Sequence, residues 1–63
     1  EKIKIAVQIN GKTREIIEIE KNLDEISAIN ESKKNKKVNN NLMNKKIIKT
    51  IFVKNRIINY LIK

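Results

Sequence analysis

The side chains best able to do chemistry in this chain are amides and cations rather than acid–base pairs. In the stretch IAVQINGKTREIIEIE (residues 5–20), Gln8 and Asn10 carry amides, and Lys12 and Arg14 carry charge just past the single glycine, Gly11. Lys33, Lys34, Lys36 and Lys37 form the densest cationic cluster, and Lys45, Lys46, Lys49, Lys54 and Arg56 follow it. Phosphate recognition calls for these residue types, Lys as a point charge and Arg as a planar fork. Amides beside them can meet a ribose hydroxyl or an exposed base edge, the groups by which folded RNA is read. Catalysis is poorly served. His and Cys are absent, which removes the commonest general base, the thiol nucleophile and the usual zinc ligands. Glu15, Glu18 and Glu20 are spaced as outward strand residues, not as a catalytic pair.

These side chains need a scaffold, and 63 residues allow one small domain, spanning 1–63, with no internal repeat or linker. A domain of this size buries only about 60% of the surface its unfolded chain exposes, so a deep cleft is hard to build. Without Cys there is no disulfide framework, and no apolar run approaches the roughly 18–20 residues of a membrane span. The first residue is Glu rather than Met, which suggests a piece of a longer protein.

The chain holds 14 Ile, 13 Lys and 10 Asn, all read by A/T-rich codons, so a single Lys or Asn carries little weight. The distribution of charge carries more. Residues 1–31 sum to −2 and residues 32–63 to +10, together the formal +8. A half with ten basic and no acidic residues suits a polyanionic partner. The competing reading is a solvated surface of biased composition.

Residues 3–9 alternate apolar and polar, the period of a half-buried strand. Asn10-Gly11 is a strong hairpin signal, and a second strand covers about 12–20. A two-residue loop would set Ile5 and Val7 opposite Ile16 and Arg14. An odd-length loop puts Ile17 and Ile19 on the face of Ile3 and Ile5. Because a one-residue slip inverts a strand, the pattern predicts a three-residue loop with Gly11 left-handed in a bulge.

Asn22 reads as an N-cap with Glu25 at the capping-box position, opening a helix of about 23–31 whose stripe is Leu23, Ile26 and Ile29 or Asn30. Residues 32–46 allow two readings, a helix of about 34–43 capped by Ser32 with Val38, Leu42 and Met43 inward, or a mobile basic loop. Asn44 suits a left-handed helix end. Residues 46–53 read as a central or doubly covered strand, Lys54-Asn55 as a turn, and 56–62 as the last strand. The expected class is α+β: a small ββααββ domain, mostly antiparallel, with a short helical pair on one face of the sheet.

Each candidate contact has a structural alternative. Arg14 can pair with Glu15 or Glu18, and the cluster at 33–37 can be a solvated loop. Asn59, inside an apolar strand, reads better as a backbone-bonding group than as an RNA contact. Phe52 and Tyr60 could stack on bases, but among Ile and Val they read better as core.

VQINGKTR (7–14), a short acid-capped helix, and IIKTIFVKNRIINYLI (47–62) together resemble the C-terminal domain of bacterial leucyl-tRNA synthetases. Val7, Gln8, Asn10, Gly11, Lys12 and Arg14 fit the first block of that pattern; Lys49, Val53, Arg56 and Asn59 fit the second. Lys54-Asn55 stands where the family has Pro-Gly, Asn44 where it has a helix-ending Gly, and Ile48 where it has a basic residue. The resemblance implies a non-catalytic, monomeric domain on a flexible tether to a cytoplasmic, ATP-dependent class I enzyme. It implies binding of the outer corner of tRNA-Leu, where the D and TψC loops meet, in support of aminoacylation and editing. ATP and leucine would bind elsewhere in the parent chain, leaving this domain without a cofactor, metal or membrane contact. The alternative is an unrelated small basic RNA- or ribosome-binding domain.

Overall fold

The computed structural model describes residues 1–63. Strands β1 (Lys2–Ile9) and β2 (Lys12–Glu20) form a hairpin, helices α1 (Glu25–Lys34) and α2 (Lys36–Leu42) follow, and β3 (Ile47–Val53) and β4 (Ile57–Ile62) form a second hairpin. The sheet order is β2-β1-β4-β3, with β1 and β4 parallel and both hairpins antiparallel. The expected ββααββ order and mostly antiparallel sheet are therefore present. No helix is long and apolar enough to cross a membrane.

Alternation along the strands makes one face apolar, and the helices cover it. Ile5, Val7 and Ile9 of β1, Ile17 and Ile19 of β2, and Ile58 and Tyr60 of β4 are buried against Ala28, Val38 and Leu42. Phe52 packs at the margin of this core, so both aromatics serve packing. The polar group that Tyr60 brings inside is satisfied. The Ser32 hydroxyl donates to the Ile29 carbonyl at 2.8 Å, which leaves the Tyr60 hydroxyl to donate to Ser32 Oγ. Burial raises the Tyr60 pKa.

The hairpin corrects the expected turn. Ile9 pairs with Lys12, so the loop has two residues, with φ of 51° at Asn10 and 83° at Gly11. Positive φ at both central positions is the signature of a type I′ turn, whose twist matches the strands. The parity that argued for an odd loop is restored further along. Gln8 faces Thr13 but Val7 faces Glu15, so Arg14 is the extra residue of a bulge. That bulge returns Ile17 and Ile19 to the core face, and it also turns Glu15 toward the helices rather than outward.

The caps differ as well. Asp24, not Asn22, caps α1 by accepting from the Ser27 N–H, and hydrogen bonding from Ser27, its side chain first and this backbone N–H second, lowers the Asp24 pKa. Asn22 instead takes a left-handed φ of 67°. The helix runs to Lys34 and turns Ile26 to solvent, 72% exposed, because its buried face is Ala28 and Ser32. Ser32 is thus core rather than a cap, and Asn35 caps α2 by accepting from Lys37 N and Val38 N. Residues 36–42 take the helical reading rather than the loop. Asn44 and Asn55 are left-handed as expected.

Strand β3 is an edge strand, not a central one. Its second apolar face is open: Ile48 is 62% exposed, and Ile51 and Val53 are exposed too. Ile47 pairs with Ile62 and Lys49 with Leu61, which makes Ile48 a bulge residue. Both edges, β2 at Arg14 and β3 at Ile48, therefore carry a bulge near a cation, a common guard against edge-to-edge pairing.

Candidate nucleic-acid interface

The parallel pairing of β1 with β4 brings distant cations together. Asn10 N donates to the Tyr60 carbonyl at 2.9 Å, and Ile62 N donates to Asn10 Oδ1 at 2.9 Å. Gly11 N donates to Asn59 Oδ1 at 3.1 Å, so Asn59 has the backbone-bonding role its setting suggests. The tip of the first hairpin is thereby fastened to the end of β4. Lys63 follows directly, and its N–H donates to the Lys46 carbonyl. Lys12, Lys46 and Lys63 consequently surround one end of the domain.

The helices add to that end. Ser32, in the last turn of α1, meets Tyr60 beside the hairpin tip, so Lys33, Lys34, Lys36 and Lys37 follow at the same end. Lys34 is bonded to Glu31 at 2.8 Å and Lys37 lies 3.9 Å from Glu15. Such exposed pairs are worth little and yield readily to a phosphate. Lys12, Arg14, Lys33, Lys36, Lys46 and Lys63 make no ion pair. Arg14 pairs with neither Glu15 nor Glu18. Its bulge position leaves it without a cross-strand partner.

Gln8 reaches Thr13 across the open sheet face, with Nε2 and Oγ1 3.4 Å apart. Asn10 spends Oδ1 on Ile62 N and keeps Nδ2 free. Lys49 is exposed on the open face opposite Leu61.

Lys54 and Arg56 lie elsewhere. They flank Asn55 at the other end of β4, about 20 Å away at the rise of a six-residue strand. There Asn55 is bonded to Asn22, and Lys54 is close enough to Asp24 to contribute to its lowered pKa. Glu1, Glu18, Glu20, Asp24 and Glu25 populate this end, five of the seven acidic residues. The sequence-predicted cations thus form not one patch but a basic end and a mixed end, along a molecule whose longest extent is 33 Å.

Sequence reading gave Lys45 and Lys46 as neighbours of the cluster in the chain and passed over Lys63. Local alternation does not reveal which strands pair, so only the β1–β4 ladder could have placed Lys63 beside Asn10.

No profile of a known protein family matches the chain. Individual proteins do. It is 44% identical over 61 residues to the leucine–tRNA ligase of Malacoplasma penetrans, covering 97% of this chain and 8% of that protein. It is 42% identical over 59 residues to that of Borreliella afzelii, covering 94% of this chain and 7% of the relative. The ligase of Clostridium beijerinckii is 36% identical over 63 residues, all of this chain and 8% of its own. The chain belongs to the leucyl-tRNA synthetase family. It spans about a twelfth of the length of the synthetases it matches. In structure it is similar to a synthetase chain of Agrobacterium radiobacter solved as a ternary complex with tRNA and LeuAMS. The TM-score is 0.91 at 32% identity, over 100% of this chain and 8% of the other.

Among the synthetase-like blocks, two departures now have a physical reading. Asn55 and Asn44 adopt φ of 64° and 61°, where the family pattern has glycine and asparagine is the next most tolerant residue. Ile48, where the pattern has a basic residue, is exposed in the β3 bulge, so this chain forgoes a charge there.

Proposed function

We propose that this chain is the C-terminal, tRNA-binding domain of a leucyl-tRNA synthetase. In this reading it holds the outer corner of tRNA-Leu, where the D and TψC loops meet, while the parent enzyme aminoacylates and edits. The observation that supports this best is the gathering of unpaired cations around the fastened hairpin tip, in a fold close to that of a synthetase solved with tRNA. The outer corner of a tRNA is a bend of backbone and loop nucleotides, read by phosphate, ribose and exposed base contacts. A rigid tip with Lys12 and Arg14 outside it, flanked by Lys33, Lys36, Lys46 and Lys63, can straddle such a bend. Gln8 and the free amide nitrogen of Asn10 are then the groups for a base or ribose edge. Lys34 and Lys37 join by exchanging a surface carboxylate for phosphate. Lys49 extends the contact along the open face, while Lys54 and Arg56 act at most as a separate, weaker contact.

The domain makes no bond and needs no cofactor in this account. ATP, leucine, adenylate formation and the editing pocket belong to the remainder of a cytoplasmic parent chain. A flexible tether to that remainder turns a weak contact into an effective one by raising local concentration, and a monomeric domain suffices.

The test is a pair of binding isotherms for the domain, with tRNA-Leu and with a plain RNA duplex, at about 50 and 200 mM salt. Preference for tRNA-Leu that survives the higher salt is the expected outcome. Equal, steeply salt-dependent binding to both RNAs would leave a generic basic RNA binder.

A further inference from the structure

The Asn10–Gly11 bond carries a reactivity of its own that needs no ligand. When solvent base removes the glycine amide proton, that nitrogen can attack the asparagine side-chain carbonyl carbon. The N–Cγ bond forms, the Cγ–Nδ2 bond breaks, and the departing nitrogen takes a proton from water and leaves as ammonia. The cyclic imide then adds water at either carbonyl and opens to aspartate or isoaspartate. A glycine on the nitrogen side makes this fastest, because no side chain shields the nucleophile.

Solvent reaches the site here: nothing lies within 4 Å of where a Cβ of Gly11 would stand. One catalytic element is even in place, since the Ile62 N–H already donates to Asn10 Oδ1, the oxygen that turns negative as the ring closes. What is withheld is the nucleophile. Gly11 N donates to Asn59 Oδ1 at 3.1 Å, so its proton is tied up and the electron pair that deprotonation would free points toward Asn59. Asn59 sits on the open sheet face between Gln8 and Ile51, where an otherwise apolar strand gains no packing from an amide.

We propose that Asn10 is a latent site of self-deamidation and that Asn59 is the residue that keeps it closed. Loss of the restraint puts a carboxylate into the basic end, and the isoaspartate product adds a backbone carbon to a turn whose length sets the hairpin register.

The experiment incubates the full chain beside Asn59→Leu and Asn59→Asp at mildly alkaline pH. It reads ammonia release and the mass of the peptide containing Asn10, with amide NMR spectra as the control for folding. Asn59→Leu removes the acceptor and is expected to convert about tenfold faster, the factor set by a hydrogen bond of about 1.4 kcal/mol. Asn59→Asp keeps an acceptor oxygen and is expected to stay close to the parent rate. A second measurement follows conversion of the unmodified chain across conditions that alter hydrogen exchange at Gly11. Its rate is expected to follow opening of the Gly11 amide. Equal rates in the parent and a folded Asn59→Leu chain would overturn the proposal. So would conversion of the parent that ignores protection of the Gly11 amide.

Discussion

Asn22 and Asn55 clasp each other: the Asn22 backbone N–H donates to Asn55 Oδ1, and Asn55 Nδ2 donates to Asn22 Oδ1, both at 2.8 Å. Both residues are left-handed, with φ of 67° and 64°. The clasp joins the β2–α1 turn to the β3–β4 turn and closes the end of the domain opposite the hairpin tip.

Two substitutions separate the clasp from the backbone it needs. Asn55→Gly keeps the left-handed turn but loses both hydrogen bonds, for a cost of about 1–2 kcal/mol. Asn55→Ala also forces a Cβ into the left-handed region and should cost about 1–2 kcal/mol more. Denaturant unfolding at equilibrium reads both values. A Gly variant as stable as the parent would mean that the clasp contributes nothing.

Tyr60 gives the fold an alkaline limit. Its pKa is raised in the folded state by burial, so the neutral phenol favours folding. That contribution is complete below about pH 10, the unfolded value, and is lost as pH rises through the folded value, because the unfolded chain then binds fewer protons. In Tyr60→Phe this part of the decline should vanish when its stability is compared with the parent across that range. Ser32→Ala, which leaves the buried phenol without its acceptor, should cost about 1–3 kcal/mol at neutral pH.

The caps act locally. Asn35→Ala removes the acceptor of two backbone N–H groups at the start of α2 and should cost about 1 kcal/mol, with amide protection lost first in Lys36–Leu42. At α1, the lowered pKa of Asp24 means that its contribution is present above the ordinary carboxylate range and fades as pH falls. Asp24→Asn retains a cap acceptor without the charge and should flatten that acid limb in a pH series of unfolding curves.

The two ends should differ in RNA binding. Lys12→Ala, Arg14→Ala or Lys36→Ala should each weaken binding and reduce the slope of log affinity against log salt by about 0.7–0.9. Lys54→Ala and Arg56→Ala should change the slope little. Isotherms over a salt series distinguish these outcomes, and a larger effect at Lys54 than at Lys12 would mean that the mixed end is the one that binds.

Much of the fold was legible because most elements carry their own period. Alternation in β1 marked Ile5, Val7 and Ile9 as core, and the left-handed positions Asn44 and Asn55 followed from turn chemistry. The hairpin shows where local reasoning stopped. The parity between the strands was right, but one extra residue satisfies it equally well in the loop or at Arg14, and the twist preference of a two-residue turn decided the matter. The apolar run in β3 suggested cover on both faces, whereas an edge strand left Ile51 and Val53 exposed. In the candidate site, residue types were readable and grouping was not. Lys63 joins Asn10, and Arg56 leaves it, only through the parallel β1–β4 ladder.

The most direct test of the central claim is an NMR titration of the isotopically labelled domain with tRNA-Leu, followed residue by residue. The account predicts the largest shifts at Gln8–Arg14, Lys33–Lys37, Lys46 and Lys63, with the Asn22–Asn55 end nearly silent. Shifts centred on Lys54 and Arg56, or none at low salt, would contradict it.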